Sequence, residues 1–227
     1  MEIAPSLHAV TLRGAQGFLV CEREITLIDA GLSGSRRRVE RYLAGIGRSI
    51  ADLRRIVVTH AHPDHIGGAH ELTVDTDAEV LLHSADIESL GVGLREAWSE
   101  RDRHRLLAWF TRGPHAATPV EDGDVIPALG GLRVVHTPGH TPGHICLYGE
   151  RDRILFTGDM LQVLRGRVTF ASRFFSADLP QARASVARLA ELDVATIAFA
   201  HYPPLTEDAN AALARLARRA EAMTART

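Results

Sequence analysis

Residues 56–68 read Ile56-Val57-Val58-Thr59-His60-Ala61-His62-Pro63-Asp64-His65-Ile66-Gly67-Gly68. A short β-branched run, the pattern of a buried strand, leads directly into three histidines and one aspartate. His60 and His62 are two apart, so in extended backbone they project to one side. Asp64 and His65 follow Pro63, where the chain must turn. Two pairs of donors can then face a common point from two directions. Imidazole and carboxylate together suit Zn²⁺, Fe²⁺ or Mn²⁺. Gly67 and Gly68 mark a place where backbone approaches something closely.

Outward from this stretch, further donors sit at the ends of other apolar runs. Ile25–Asp29 is a strand ending in an acid. Leu132–His136 leads to Thr137-Pro138-Gly139-His140-Thr141-Pro142-Gly143-His144, Ile154–Thr157 leads to Gly158-Asp159, and Thr196–Ala200 ends at His201. Delivery of polar residues to the C-terminal ends of strands is the usual way an α/β sheet builds a site.

The other elements are strands at Val10–Leu12, Gly17–Cys21, Val80–His83, Val125–Ile126 and Ile145–Tyr148, with hairpin turns at Gly130-Gly131 and Glu150–Arg153. A helix capped by Ser35 carries Val39, Tyr42, Leu43 and Ile46 on one face and stops at Gly47. Asp178 opens a capping box with Gln181 before the stripe Leu179, Ala182, Val186 and Leu189. Thr206 caps a last helix with Leu213, Leu216, Ala220 and Met223 inward. Residues 84–118 form a charged, helical stretch holding Trp98, Arg101, His104, Leu107, Trp109 and Phe110, which packs or covers a cleft. Strands and helices alternate without a low-complexity linker or repeat, which predicts one α/β domain over residues 1–227.

Composition excludes several classes. The chain has 227 residues, 45% hydrophobic and 24% charged, enough to bury a core without disulfides. No apolar run approaches the ~20 residues of a membrane span. The start, MEIAPSLHAV, has neither a basic region nor an apolar one, so no secretory signal and a cytoplasmic location are expected. A net charge of −2 offers nothing to nucleic acid or an anionic membrane. All 26 basic residues are arginine, which removes lysine nucleophiles. Cys21 and Cys146, in apolar segments, read as buried reduced thiols. Histidine is abundant, at 12 residues.

Taken together, the segments from Asp29-Ala30-Gly31 to His201 resemble the metallo-β-lactamase superfamily of metallohydrolases. The resemblance implies a four-layer αββα sandwich, α/β in class, with the metal site at one edge of two sheets. It also implies that His60, His62 and His140 hold one metal, that Asp64, His65 and His201 hold a second, and that Asp159 bridges them. Asp29 matches a position that supports the site from behind. Two Zn²⁺ about 3.5–4 Å apart can share a hydroxide formed near neutral pH, with Fe²⁺ or Mn²⁺ as alternatives. The catalytic candidates are Asp64 and Asp159, either of which could carry the proton to the leaving group.

Within the superfamily the residues favour one branch. True β-lactamases place cysteine where this chain has Asp159. Glyoxalase II carries a longer C-terminal helical region than residues 202–227 provide. Quorum-quenching lactonases carry tyrosine where Gln162 stands, nuclease members add basic domains, and flavin-diiron proteins replace His62 with glutamate. The reading is a dinuclear zinc hydrolase of a small thioester, ester or lactone. Its alternatives are a mononuclear iron persulfide dioxygenase, a phosphodiesterase or nuclease, and a silent metal-binding protein.

His144 is assigned to support a ligand or to pack. His8, His70, His83, His104, His115 and His136 have no motif behind them. Tyr202 could donate to substrate, and Arg165, Arg167 and Arg173 form a solvated loop or line the cleft. Aromatics at 98, 109, 110, 174 and 175 suit a partly apolar pocket for a small molecule or a core. Those in 84–118 could pair two chains as a homodimer.

Overall fold

The computed structural model describes residues 1–91 and 116–225, which fall into two compact units, Met1–Val120 and Glu121–Thr227. The first unit holds a seven-stranded sheet in the order β1 (Glu2–Ala4), β2 (Leu7–Thr11), β3 (Gln16–Cys21), β4 (Ile25–Ile28), β5 (Leu53–Val57), β6 (Glu79–His83) and β7 (Thr118–Val120). The pairings from β1 to β4 are antiparallel, and those from β4 to β7 are parallel. Parallel neighbours need crossovers. Helix α1 (Arg36–Gly45) supplies the first, and α2 (Pro63–Ile66) with α3 (Ala69–Thr73) supplies the second. As a result β4, β5 and β6 end side by side, on Asp29, Thr59-His60 and the start of α4 (Ser84–Gly91).

The second unit holds a five-stranded sheet in the order β14 (Thr196–Ala198), β11 (Ile154–Phe156), β10 (Ile145–Gly149), β9 (Leu132–His136) and β8 (Val125–Ile126). Strand β10 runs antiparallel to both β9 and β11, and β14 runs parallel to β11. The C-terminal ends of β9, β11 and β14 therefore share one edge, where His140, Asp159 and His201 follow them. The sheet side chains Val135, Cys146, Leu155 and Ile197 are buried with α5 (Leu179–Ala190) and α6 (Ala209–Thr224). A separate hairpin pairs β12 (Leu161–Leu164) with β13 (Arg167–Phe170).

Two glycines allow the close approaches. A Cβ on Gly68 would run into the carbonyl oxygen of Ala30. One on Gly139, at φ +127°, would overlap the backbone nitrogen of Ala182 in the first turn of α5.

Several expectations are corrected in detail. Strand β1 and the β12–β13 hairpin were not anticipated, and β2 covers Leu7–Thr11 rather than Val10–Leu12. The Ser35 side chain accepts from the Arg13 amide instead of capping α1, and Ile46 is exposed. Asp178 accepts from the Gln181 amide, as a cap should. The last helix starts from Asp208 in a left-handed conformation, not from Thr206. Phe174 and Phe175 are exposed rather than core. Trp98, Arg101, His104, Leu107, Trp109, Phe110 and His115 lie outside the described residues, and so do the cover and the chain pairing built on them. Among the described residues no helix is long and apolar enough to cross a membrane.

Both cysteines are free; Cys146 is buried and Cys21 half-buried. Burial pushes the Cys146 thiol up to about 12, against an opposing hydrogen bond from Thr137. The unfolded thiol ionises first, so this contribution to stability is complete below pH 9.0 and fades as pH rises toward 12. At pH 8, Cys146 in the folded protein should react with a disulfide reagent at least ~100-fold more slowly than in urea, since the thiolate is the reactive form. Equal rates in a stopped-flow comparison would show that the thiol is accessible.

Candidate metal centre

In the first unit the donors are organised by Asp29, which is 1% exposed and takes φ 60° immediately after β4. Asp and Asn tolerate this left-handed region better than other residues with a Cβ. Its carboxylate accepts from the Thr59 amide at 2.8 Å and from the Thr59 hydroxyl at 3.0 Å. Its other oxygen lies 2.9 Å from Nδ1 of His65. An ionised carboxylate only accepts, so the His65 Nδ1 carries the hydrogen and Nε2 keeps its lone pair.

The same logic reaches His60. Thr59 gives its single hydroxyl hydrogen to Asp29, so its oxygen accepts from His60 Nδ1 at 3.1 Å. That leaves Nε2 of His60 as an acceptor, 3.0 Å from Nδ1 of His62. Two nitrogen ligands on one tetrahedral zinc are about 3.3 Å apart, so the pair suits a common cation. Asp64 follows in the first turn of α2, with its carboxylate 3.9 Å from Nε2 of His65.

One residue here was missed by sequence reasoning. Asp86 on α4 is fully buried, and its carboxylate accepts from the Ala61 amide at 2.8 Å. It therefore holds the backbone between His60 and His62. The only signal in the sequence was an acid three residues past a strand end.

In the second unit Asp159 faces two histidines with two different oxygens. Oδ2 lies 3.5 Å from Nε2 of His140, and Oδ1 lies 3.0 Å from Nε2 of His201. A carboxylate oriented this way can bridge two cations. The Asp159 amide donates to Nε2 of His144 at 3.2 Å. Nδ1 of His144 then carries the hydrogen and donates to the Thr137 hydroxyl at 2.8 Å. Thus His144 is tied to the backbone of Asp159 instead of only packing.

His140 has a partner that sequence reasoning also missed. Ser176 donates its hydroxyl hydrogen to the Ser172 carbonyl at 2.7 Å, so its oxygen accepts from His140 Nδ1 at 3.2 Å. Nε2 of His140 is left with the lone pair. In both units, a hydrogen bond at Nδ1 keeps the lone pair on Nε2, the atom a metal would need. Among the remaining histidines, His8 pairs with Tyr42, His83 accepts from the Ala85 amide, and His136 donates to the Pro142 carbonyl. Arg165, Arg167 and Arg173 are exposed.

Residues 13–201 match the model of the metallo-beta-lactamase superfamily. The chain is 28% identical over 236 residues to the probable metallo-hydrolase YflN of Bacillus subtilis, covering 90% of this chain and 87% of that one. It is 33% identical over 177 residues to the acyl-coenzyme A thioesterase MBLAC2 of Gallus gallus, covering 66% of this chain and 56% of that one. A metallo-beta-lactamase family protein of Thermus thermophilus has the same fold, with a TM-score of 0.78 at 23% identity over 97% of this chain and 81% of that one. The mixed sheets and helices are those of the metallo-β-lactamase fold. On this match, the chain belongs to the metallo-β-lactamase superfamily and is by family a metal-dependent hydrolase.

Proposed function

We propose that the protein is a dinuclear zinc hydrolase that cleaves a small-molecule ester-like bond, a thioester before an ester or lactone. The observation that carries the two-metal reading is Asp159, whose two oxygens face His140 and His201 separately. In this reading His60, His62 and His140 serve one zinc, Asp64, His65 and His201 serve the other, and Asp159 serves both. Bound zinc supplies Lewis acidity and lowers the pKa of water to near 7. Asp29, through Thr59 and directly, keeps His60 and His65 in the tautomers that ligation needs. Ser176 does the same for His140. Asp64 or Asp159 takes the proton and passes it to the departing group, which for a thioester is a thiolate. The thioester preference is supported by the thioesterase name of MBLAC2. Free thiols suit a reducing compartment, and we place the enzyme in the cytoplasm.

The test combines metal analysis with a substrate panel. Protein purified in zinc should carry close to two ions per chain and should turn over at least one member of a thioester, ester and lactone series. Turnover confined to phosphodiesters, or oxygen consumption with persulfide by a one-iron form, would replace this reading. Full metal loading without turnover of any substrate would favour a silent binding role.

A further inference from the structure

We propose that Thr137 is a positioning residue for the carboxylate of Asp159. Its hydroxyl closes a ring of hydrogen bonds that leaves the Asp159 amide and returns to the carbonyl of Thr157, on the other side of Gly158. This role rests on the reading of Asp159 as a metal ligand given above.

The side chains of the ring are sealed from water. Thr137, His144, Cys146 and Thr157 are each 0% exposed, so every donor among them needs a protein acceptor. Three neighbouring strand ends supply them. Thr137 follows β9, His144 precedes β10 and Cys146 lies in it, and Thr157 follows β11.

The hydrogens can be placed one by one. The Asp159 amide donates to Nε2 of His144 at 3.2 Å. The hydrogen of a neutral imidazole is then on Nδ1, which donates to the Thr137 hydroxyl oxygen at 2.8 Å. The Thr137 hydrogen has two acceptors at 3.4 Å, the Cys146 sulfur and the His144 carbonyl. For an oxygen acceptor 3.4 Å is long, and that carbonyl already accepts from the Thr137 amide at 2.9 Å. Sulfur is the larger atom and accepts at greater distances, so the hydrogen goes to Cys146. The Cys146 thiol in turn donates to the Thr157 carbonyl at 3.7 Å.

The ring encloses the turn that carries Asp159. The Thr157 carbonyl also accepts from the Met160 amide at 3.0 Å, which makes residues 157–160 a tight turn, with Gly158 at φ 46°. One side chain grips this turn at the Thr157 carbonyl and another at the Asp159 amide. Both meet at the Thr137 hydroxyl. The carboxylate that this backbone carries has its oxygens 3.5 Å from His140 and 3.0 Å from His201. Without the hydroxyl, Nδ1–H of His144 loses its buried acceptor. Moving the hydrogen to Nε2 relieves Nδ1 but sets the His144 N–H against the Asp159 N–H, and the turn must shift.

The experiment compares the full chain with two variants. Thr137→Val keeps the β-branched shape and removes the hydroxyl, while Thr137→Ser keeps the hydroxyl. NMR of the metal-free proteins at about pH 8, above the usual histidine range, reads the ring nitrogens of His144. The wild type and Thr137→Ser should carry the hydrogen on Nδ1, and Thr137→Val on Nε2. The Asp159 amide should exchange with solvent at least ~10-fold faster in Thr137→Val. In zinc competition against a chromophoric chelator, the weaker site of Thr137→Val should lose ~10–100-fold in affinity, and Thr137→Ser should stay within ~3-fold of wild type.

A wild type with the hydrogen on Nε2 of His144 overturns the proposal, whether or not the variants fold. So does wild-type zinc affinity in Thr137→Val, or a Thr137→Ser protein that behaves like Thr137→Val. A wild type that binds one zinc or none removes the two-metal reading, while the ring nitrogens and the amide exchange still decide whether Thr137 holds Asp159.

Discussion

His60→Ala should lower turnover at least ~10³-fold and reduce the zinc content to one ion or none per chain. His60 is fully buried, so no other side chain or solvent can take over its position at the end of β5. Its loss removes Nε2, which lies 3.0 Å from the donor atom of His62, and so leaves one nitrogen where two suit a shared cation. It also removes the hydrogen-bond donor that Thr59 accepts, disturbing the link to Asp29. Metal analysis of the purified variant, beside the turnover of the best substrate in the panel, checks both effects. His8→Ala is the control. That histidine lies on β2 and pairs with Tyr42, so the variant should keep its zinc. A His60→Ala protein with two zinc ions and full activity would show that the ligand set is wrong.

Substitution of Asp29 should separate support of the fold from support of the metal. Asp29→Ala leaves the Thr59 amide and hydroxyl and Nδ1–H of His65 without their buried acceptor. It also puts alanine at φ 60°, a conformation alanine rarely adopts. The expected cost is about 3–5 kcal/mol of stability. Asn at the same position tolerates the backbone, and its amide oxygen still accepts from Thr59. Its NH₂ group, however, faces His65 and favours the reversed tautomer, with the hydrogen on Nε2 where the lone pair is needed. Asp29→Asn should therefore keep most of the stability yet bind zinc ~10–100-fold more weakly, the usual cost of losing such a partner. Thermal unfolding of the metal-free proteins and zinc competition against a chromophoric chelator measure the two effects. An Asp29→Asn protein with wild-type zinc affinity would remove the tautomer argument.

The donors themselves were legible because their signals are local. His60, His62, Asp64 and His65 are neighbours in the chain, and their spacing around Pro63 states the turn. His140, Asp159 and His201 each follow an apolar run, and strand ends are where sites form. Of the residues that orient them, Asp29 was legible through the family resemblance, while Ser176 and Asp86 were not. Ser176 is 36 residues from His140, and Asp86 is 25 from Ala61. A lone serine or aspartate carries no periodicity, and only the folded chain shows which nitrogen it meets. The β12–β13 hairpin escaped notice for a different reason. Its register pairs Leu164 with Arg167 across a two-residue turn, Arg165-Gly166, in which both residues have positive φ. Such turns are usually signalled by Asn-Gly or Asp-Gly, and an arginine at the first position hides the pattern. Phe174 and Phe175 left two readings open in the sequence, pocket or core, because an aromatic ring serves either, and their exposure sets aside the core.

Gly139 has a consequence for anyone who diversifies residues 137–144 to change what the enzyme accepts. It binds no metal and contacts no substrate in the reading above. Yet any added carbon strikes the backbone nitrogen of Ala182, which cannot rotate aside as a side chain would. Randomised libraries should therefore treat Gly139 as closed as His140, and spend their variation on positions whose neighbours can yield.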